Sequence, residues 1–236
     1  MDFFISTKNR TDKEELMDDF SIGGDLLRDT LDKLENINRW LGGNLMTVKS
    51  LKKVLKNHPK EQELIIADIG CGHGDILRDV AKFGRKNGYK MKLIGMDANP
   101  TAIAYANELS ADFPELSFKT EDIFSEKFKN RKFDVVLATL FLHHFKEVQL
   151  VSFLENTLKQ TKIAVVVNDL HRHKLAYYLF MLLSVFIKNK MIIEDGLTSV
   201  LRGFKRNDLE IISKKIKVKA QISWKWAFRF QWILRL

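Results

Sequence analysis

The sequence predicts an α/β protein, a doubly wound and mainly parallel sheet with helices on both faces, preceded by a helical cap. Three observations lead there. Short apolar, β-branched runs alternate with amphipathic stretches over residues 61–168, and such alternation builds a parallel sheet covered on both sides. A glycine-rich turn, Asp68-Ile69-Gly70-Cys71-Gly72-His73-Gly74, joins the first of these strands to the first helix. Residues 1–60 hold no good strand and carry apolar residues at helical spacing.

In order, Leu16, Met17, Phe20, Ile22, Leu26, Leu27, Leu31, Leu34 and Ile37 mark helical structure, broken by Gly42-Gly43-Asn44. A second helix is expected from Thr47 to Asn57, stopped by Pro59. Residues 1–60 are thus read as a cap and 61–236 as the sheet domain. Strands are expected at Leu64–Ala67, Met91–Met96, Leu116–Lys119, Phe133–Ala138 and Ile163–Val167, where β-branched and apolar residues cluster. Helices are expected at Asp75–Asn87, at Pro100–Ala111 with Pro at the tolerated first position, and at Lys146–Lys159. Beyond residue 168 the order changes. Lys174–Ile187 reads as a mostly apolar helix, and Asn207-Asp208-Leu209-Glu210 as a capping box opening another. Ile216–Leu234 alternates apolar and polar residues about Ser223-Trp224, which suggests two antiparallel strands.

The 236 residues suit one such domain with an extra segment, and 45% hydrophobic against 29% charged residues exclude a disordered or fibrous chain. A net charge of +9 admits nucleic acid, an anionic membrane surface or an acidic substrate as partner. The simpler reading of the late cations, Lys214, Lys215, Lys217, Lys219, Lys225 and Arg229, is a solvated edge. Cys71 is the only cysteine, so no internal disulfide and no zinc site is expected, and a reducing cytoplasmic setting fits. The start, MDFFISTKNRTDKEEL, lacks a leader's apolar core. The longest apolar run, Leu175–Ile187, falls short of the roughly 20 residues a bilayer span needs, which leaves peripheral membrane contact as an option.

Glycines at 70, 72 and 74 let backbone approach a ligand closely at a helix N-terminus. The Gly-x-Gly-x-Gly spacing differs from the Gly-x-Gly-x-x-Gly of dinucleotide folds, and Asp68 would repel a pyrophosphate while attracting an ammonium group. Asp97 ends the second strand, where an acid accepts from ribose hydroxyls. Asp122 offers an acceptor to an adenine amino group, with Ile123 against the ring. Thr139 and Leu140 follow the fourth strand at the rim where ligands of such sheets collect. Four pieces in order at four successive strand ends outweigh the reading of each as a turn or cap.

Residues 61–168 resemble class I S-adenosyl-L-methionine (SAM)-dependent methyltransferases. The first motif is matched by Asp68 to Gly74, the second by Gly95-Met96-Asp97-Ala98-Asn99, the adenine motif by Glu121-Asp122-Ile123, and the fourth strand by Phe133-Asp134-Val135-Val136-Leu137-Ala138. The resemblance implies a Rossmann-like, seven-stranded sheet with a final antiparallel strand. It implies SAM as donor and S-adenosyl-L-homocysteine as product, held by Asp68, Gly70, Cys71, Gly72, Asp97, Ala98, Asn99, Glu121, Asp122, Ile123, Thr139 and Leu140. Leu140 to Phe145, with its His-His pair, is similar to ubiquinone/menaquinone-type small-molecule methyltransferases. Glu15-Leu16-Met17-Asp18-Asp19, Ile37 to Gly43 and Asp195 to Val200 resemble bacterial methyltransferases that accompany type III polyketide synthases. There, Leu201-Arg202-Gly203-Phe204 has one arginine in place of two. By the same resemblance the N-terminal segment closes over the cofactor, with Arg39 available to its carboxylate.

The function expected is methyl transfer to a phenol or quinol oxygen of a small, apolar aromatic or polyketide-type acceptor. A phenol ionises near pH 10, so a neutral-range base helps. One of His143 and His144 is the candidate base, against a purely structural role for both; Asp169 is available to orient a histidine. His171 and, on the apolar helix over the acceptor pocket, Tyr177, Tyr178, Phe180 and Met181 are the candidate acceptor-binding residues. The alternatives are an RNA or protein methyltransferase using the basic, aromatic tail, though no nucleic acid is expected, and a non-catalytic binding protein of the same fold. Oligomeric state is not legible.

Overall fold

The computed structural model describes residues 5–236; Met1–Phe4, the start of the segment read as lacking a leader's core, lie outside them. Leu16–Asp18 forms one 3₁₀ turn. Helix α1 (Gly24–Trp40) buries Leu27 and Leu31 against Ala102 and Tyr105. The glycine pair ends it as expected. Gly42 takes the left-handed conformation (φ 75°), and α2 begins at once (Gly43–Val54) rather than at Thr47. The N-terminal helices do not stand apart from the sheet, because Leu51, Val54 and Leu55 share one core cluster with Leu64, Ile66, Val135 and Val166.

Then come β1 (Leu64–Ile69), α3 (Asp75–Asn87), β2 (Met91–Asp97), α4 (Pro100–Leu109), β3 (Leu116–Thr120), α5 (Glu126–Lys129), β4 (Phe133–Thr139), a 3₁₀ turn (Leu142–His144), α6 (Glu147–Gln160), β5 (Thr161–Leu170), α7 (Lys174–Ser184), α8 (Lys190–Arg202), α9 (Arg206–Lys215), β6 (Lys219–Lys225) and β7 (Arg229–Arg235). The seven strands form one sheet in the order β3-β2-β1-β4-β5-β7-β6. β1 to β5 are parallel, and β7 inserts antiparallel between β5 and β6. Alternate residues of each strand enter opposite cores: Ala67 and Ile69 pack on one face, Leu64 and Ile66 on the other. The carboxyl ends of five parallel strands therefore open on one rim, where ligands of open α/β sheets bind.

Three expectations are corrected. α8 was not anticipated; its signal was Asn189, whose side chain accepts from Ile192 N–H as an N-cap. The tail turns at residues 226–228, so Ser223-Trp224 lie inside β6. Ala227 (φ 58°) and Phe228 (φ 52°) make that turn without glycine, which is why composition did not mark it. α9 starts at Arg206, with Asp208 accepting from Lys205 N–H at 2.8 Å. Among the described residues no helix is long and apolar enough to cross a membrane.

Candidate functional site

A cleft of about 1380 Å³ runs along this rim, lined at one end by the glycine loop and at the other by the two histidines. At the loop end, Gly70 (φ 68°) and Gly72 (φ 52°) adopt left-handed backbone. A Cβ at Gly70 would also enter the Phe141 ring, so no other residue fits there. The loop's amides hold the loop itself. Gly70 and Cys71 N–H donate to Met96 O, and Gly72 N–H donates to Asp97 Oδ2 at 2.9 Å. Cys71 is buried beside them, its thiol pushed well up by burial.

Asp68 is the unusual group. It is buried, and its Oδ1 has no hydrogen-bond partner among the described residues. Burial, then the carboxylates of Asp75 and Asp97, raise it well above the ordinary carboxylate range. A buried carboxyl left without a partner keeps its proton rather than stand as a bare charge. Asp97 is held as a fork: Oδ2 accepts from Gly72 and Oδ1 from Asn99 N–H at 2.9 Å. Burial raises it too, against those bonds.

Other expected residues line the cleft with part of their capacity engaged. Asn99 caps α4, accepting from Thr101 and Ala102 N–H. Glu121 is buried and pairs with Arg131, so its carboxylate is spoken for. Asp122 accepts from Phe124 N–H at 2.8 Å within its own turn. Ala98, Ile123, Thr139 and Leu140 also line the cleft, Thr139 bonded to Thr47 through the hydroxyls at 3.1 Å. Leu140 is left-handed (φ 52°), its N–H donating to Asn168 O.

Arg39 is not brought into the cleft. Its guanidinium grips Asp79 at 2.7 and 3.1 Å and Glu35 at 2.6 Å, and these carboxylates hold its proton more firmly against the opposing effect of burial. A different arginine, expected with the late lysines on a solvated edge, is buried instead. Arg229, the first residue of β7, is buried and lines the cleft, and its Nε and Nη1 have no partner among the described residues. Burial lowers it to about 10, with Asp169 opposing. Gly43 leaves room for it, since a Cβ there would collide with Arg229 Nη1 and Asn38 Oδ1.

At the far end the 3₁₀ turn brings both adjacent histidines together, their rings 4.3 Å apart. His143 is buried, with Nδ1 2.7 Å from Asp169 Oδ1. Asp169 also accepts from the N–H groups of Leu142, His143 and Leu170. Although burial opposes it, His143 and these donors hold Asp169 below its ordinary range. An ionised carboxylate on Nδ1 favours that nitrogen as the donor and turns Nε2 away from Asp169. His144 Nδ1 lies 2.6 Å from Asp18 Oδ1.

The N-terminal segment is clasped over this turn. Arg10 donates to Arg202 O and His143 O, both at 2.7 Å. Arg202 reaches Asp18 at 2.6 Å and the carbonyl oxygens of His143 and His144. Asp195 of α8 accepts from Leu16 and Met17 N–H. Glu15, given no role from sequence, is buried there, and its Oε2 accepts from Ser199 at 2.6 Å. Its Oε1 has no hydrogen-bond partner and lies 3.6 Å from His143 Nε2. Burial raises Glu15 to about 7. Glu15, His143 and His144 offer donor atoms within 4.8 Å of one another, but Arg202 sits 3.7 Å from the same Oε1 and supplies the countercharge.

Of the residues expected on the acceptor side, Phe180 of α7 lines the cleft, whereas Tyr177, Tyr178 and Met181 of the same helix and His171 before it do not. Helical spacing told which residues share a face but not which face turns inward. Gly196 of α8 decides it: a Cβ there would enter the Phe180 ring. His171 instead accepts from Trp224 Nε1 at 3.2 Å, and burial lowers it to about 4.

Residues 66–163 match the family model of the methyltransferase domain. No curated protein matches the chain by sequence. Among solved structures it is similar to the plantazolicin methyltransferase BpumL in complex with S-adenosylhomocysteine (SAH), at 18% identity and a TM-score of 0.65 over 89% of this chain and 88% of that one. It is similar to the O-methyltransferase family 2 protein from Planctomyces limnophilus in complex with apigenin (12%, TM-score 0.66, 89% and 61%). It is also similar to the CurJ carbon methyltransferase (14%, TM-score 0.63, 81% and 53%). The fold is that of the SAM-dependent methyltransferases, and the domain match and these neighbours together support a class I enzyme whose methyl donor is SAM.

Proposed function

We propose that this protein transfers a methyl group from SAM to the oxygen of a phenol or quinol on a small, apolar aromatic or polyketide-type acceptor. The observation that carries the reading is a carboxylate-oriented histidine, His143 on Asp169, in the same cleft as the unpartnered Asp68 and the forked Asp97.

The residues fit the donor. Asp68 Oδ1 is an orphaned acceptor suited to the ammonium of an amino acid, and Arg229 an orphaned donor set suited to its carboxylate. Asp97 keeps lone pairs for ribose hydroxyls, and Asp122 and Ile123 border an adenine-sized space. Bound SAM supplies a methyl group already activated on a sulfonium. What remains for the protein is alignment and one proton. His143 Nε2 takes the acceptor's hydroxyl proton, and Asp169 stabilises the imidazolium formed. The clasp of residues 10–18 with α8 keeps water from that end of the cleft.

The same pair would serve a carbon acid, and one structural neighbour is a carbon methyltransferase; oxygen is preferred because a phenol needs only one neutral-range base. Two measurements test the proposal. Calorimetric titration with SAH gives binding, and absence of binding removes the donor. Transfer of labelled methyl from SAM to a panel of phenols, quinols and 1,3-diketones then separates oxygen from carbon acceptors, and label found only on carbon overturns the oxygen reading.

A further inference from the structure

Helix α7 has two faces of opposite use. Phe180 faces the cleft and Ala176 is buried. The opposite face carries Leu175, Leu179 and Leu182 at spacings of four and three, one stripe of a helical surface, and the turn after the helix continues it with Val185 and Phe186. It is turned to solvent, with Leu182 64%, Val185 76% and Phe186 82% exposed. Such a contiguous apolar face is costly in water and marks an interaction surface.

Charge says what covers it. Exposed Lys174, Lys188 and Lys190 bracket the stripe, and no Asp or Glu occurs from Leu170 to Ile193. The β6–β7 turn lies at the head of α7, where His173 stacks on Phe228 with ring centroids 5.2 Å apart. That turn presents Trp226, 76% exposed, and no acid occurs from Ile211 to Leu236. Apolar residues, an interfacial tryptophan and flanking lysines without acids match an anionic bilayer surface. A second copy of the chain would bring the same lysines against each other.

We propose that the outer face of α7, with the β6–β7 turn, docks this protein on anionic lipid membranes. The helix then stands as a wall with lipid on one side and the cleft on the other. On the methyl-transfer reading, the acceptor is a lipid-soluble phenol or quinol that reaches the cleft from the bilayer.

The test is co-sedimentation of the whole protein with vesicles of phosphatidylcholine alone or with roughly 30% phosphatidylglycerol. Anionic vesicles are expected to bind it at least about tenfold better than neutral ones, with a blue shift of tryptophan fluorescence. The double variant Leu182→Glu with Phe186→Glu changes only exposed positions outside the cleft. It is expected to lose about tenfold or more of that binding while keeping SAH affinity. Equal binding to both vesicle types, or equal binding by the variant, overturns the proposal. So does a wild-type dimer that the variant makes monomeric without any vesicle binding. Failure to bind SAH would overturn the methyl-transfer reading and leave the vesicle result standing on its own.

Discussion

The two ends of the cleft are built differently. The glycine-loop end is assembled from neighbours in sequence: Asp68, the loop and Asp97 sit on adjacent strands, tied by backbone amides. The histidine end is assembled from distant pieces, with Arg10 reaching His143 across 133 residues and Arg202 reaching Asp18 across 184. The first is a socket in which Asp68 Oδ1 has no hydrogen-bond partner among the described residues, joined from β7 by the unpartnered Arg229. The second is a set of ion pairs, His143 on Asp169 and both His144 and Arg202 on Asp18. A socket of this kind binds a constant ligand; a clasp of ion pairs is what a variable acceptor must enter.

The sharpest way to break this contrast is to separate chemistry from binding. His143→Ala is expected to lower kcat by about 10²–10⁴, the range for losing a general base, while SAH affinity stays within about twofold. Asp169→Asn should reproduce much of that loss, because the imidazole then loses its ionised partner. Steady-state kinetics alongside calorimetry checks both. A His143 variant that loses SAH binding and activity together would mean that the two ends are one unit.

Next in size are changes at the socket. Asp97→Ala and Arg229→Met are each expected to weaken SAH by roughly 1–3 kcal/mol, the cost of hydrogen bonds to charged groups. The two should differ against 5′-methylthioadenosine, which has ribose but no amino-acid end. Asp97→Ala weakens it, whereas Arg229→Met leaves it unchanged. Equal loss for both nucleosides in Arg229→Met would remove Arg229 from the carboxylate.

The contrast also explains what the sequence could tell. The five parallel strands, the N-terminal helices and the glycine loop were legible because their signals are local: periodicity, glycine spacing, and an acid at strand ends. Arg39 stands outside the cleft because Asp79, 40 residues on, claims its guanidinium, which position in a motif does not show. Arg229 reads from sequence as one more cation of a solvated edge, and Glu15 carries no role there, because what sets both apart is burial without a partner, which only packing reveals. Of the residues named on α7, Phe180 lines the cleft and packs on Gly196 of the next helix, a contact that helical spacing alone does not show.

Glu15 offers a smaller effect with a defined pH sign. It has an ordinary value of 4.5 and is raised to about 7 in the folded protein. Between these values the folded state holds a proton that the unfolded chain has lost. Stability therefore falls as pH rises from about 4.5 to 7 and stays lower above. Glu15→Gln keeps an acceptor for Ser199 and removes the buried charge. At roughly 1.4 kcal/mol per pKa unit, its gain relative to wild type approaches at most about 3 kcal/mol at pH 8 and vanishes near pH 4. Thermal melts at pH 5, 6, 7 and 8 read this directly, and a variant whose advantage is flat with pH would show that Glu15 is ionised in the fold.

The smallest effect is the most diagnostic for the socket. Arg39 lies on α1 with its side chain 38% exposed and its fork on Asp79 of α3. A half-open ion pair of good geometry stabilises by about 0.5–1 kcal/mol after solvent screening. Arg39→Ala should therefore cost about that much in a denaturant titration. It should leave SAH affinity within about twofold, because Arg229 and Asp68 already supply the charges for an amino acid. If SAH binding instead falls by about tenfold or more, Arg39 leaves Asp79 on binding and swings inward. The loop end would then be a closing clasp like the histidine end, and the division between socket and clasp would fail.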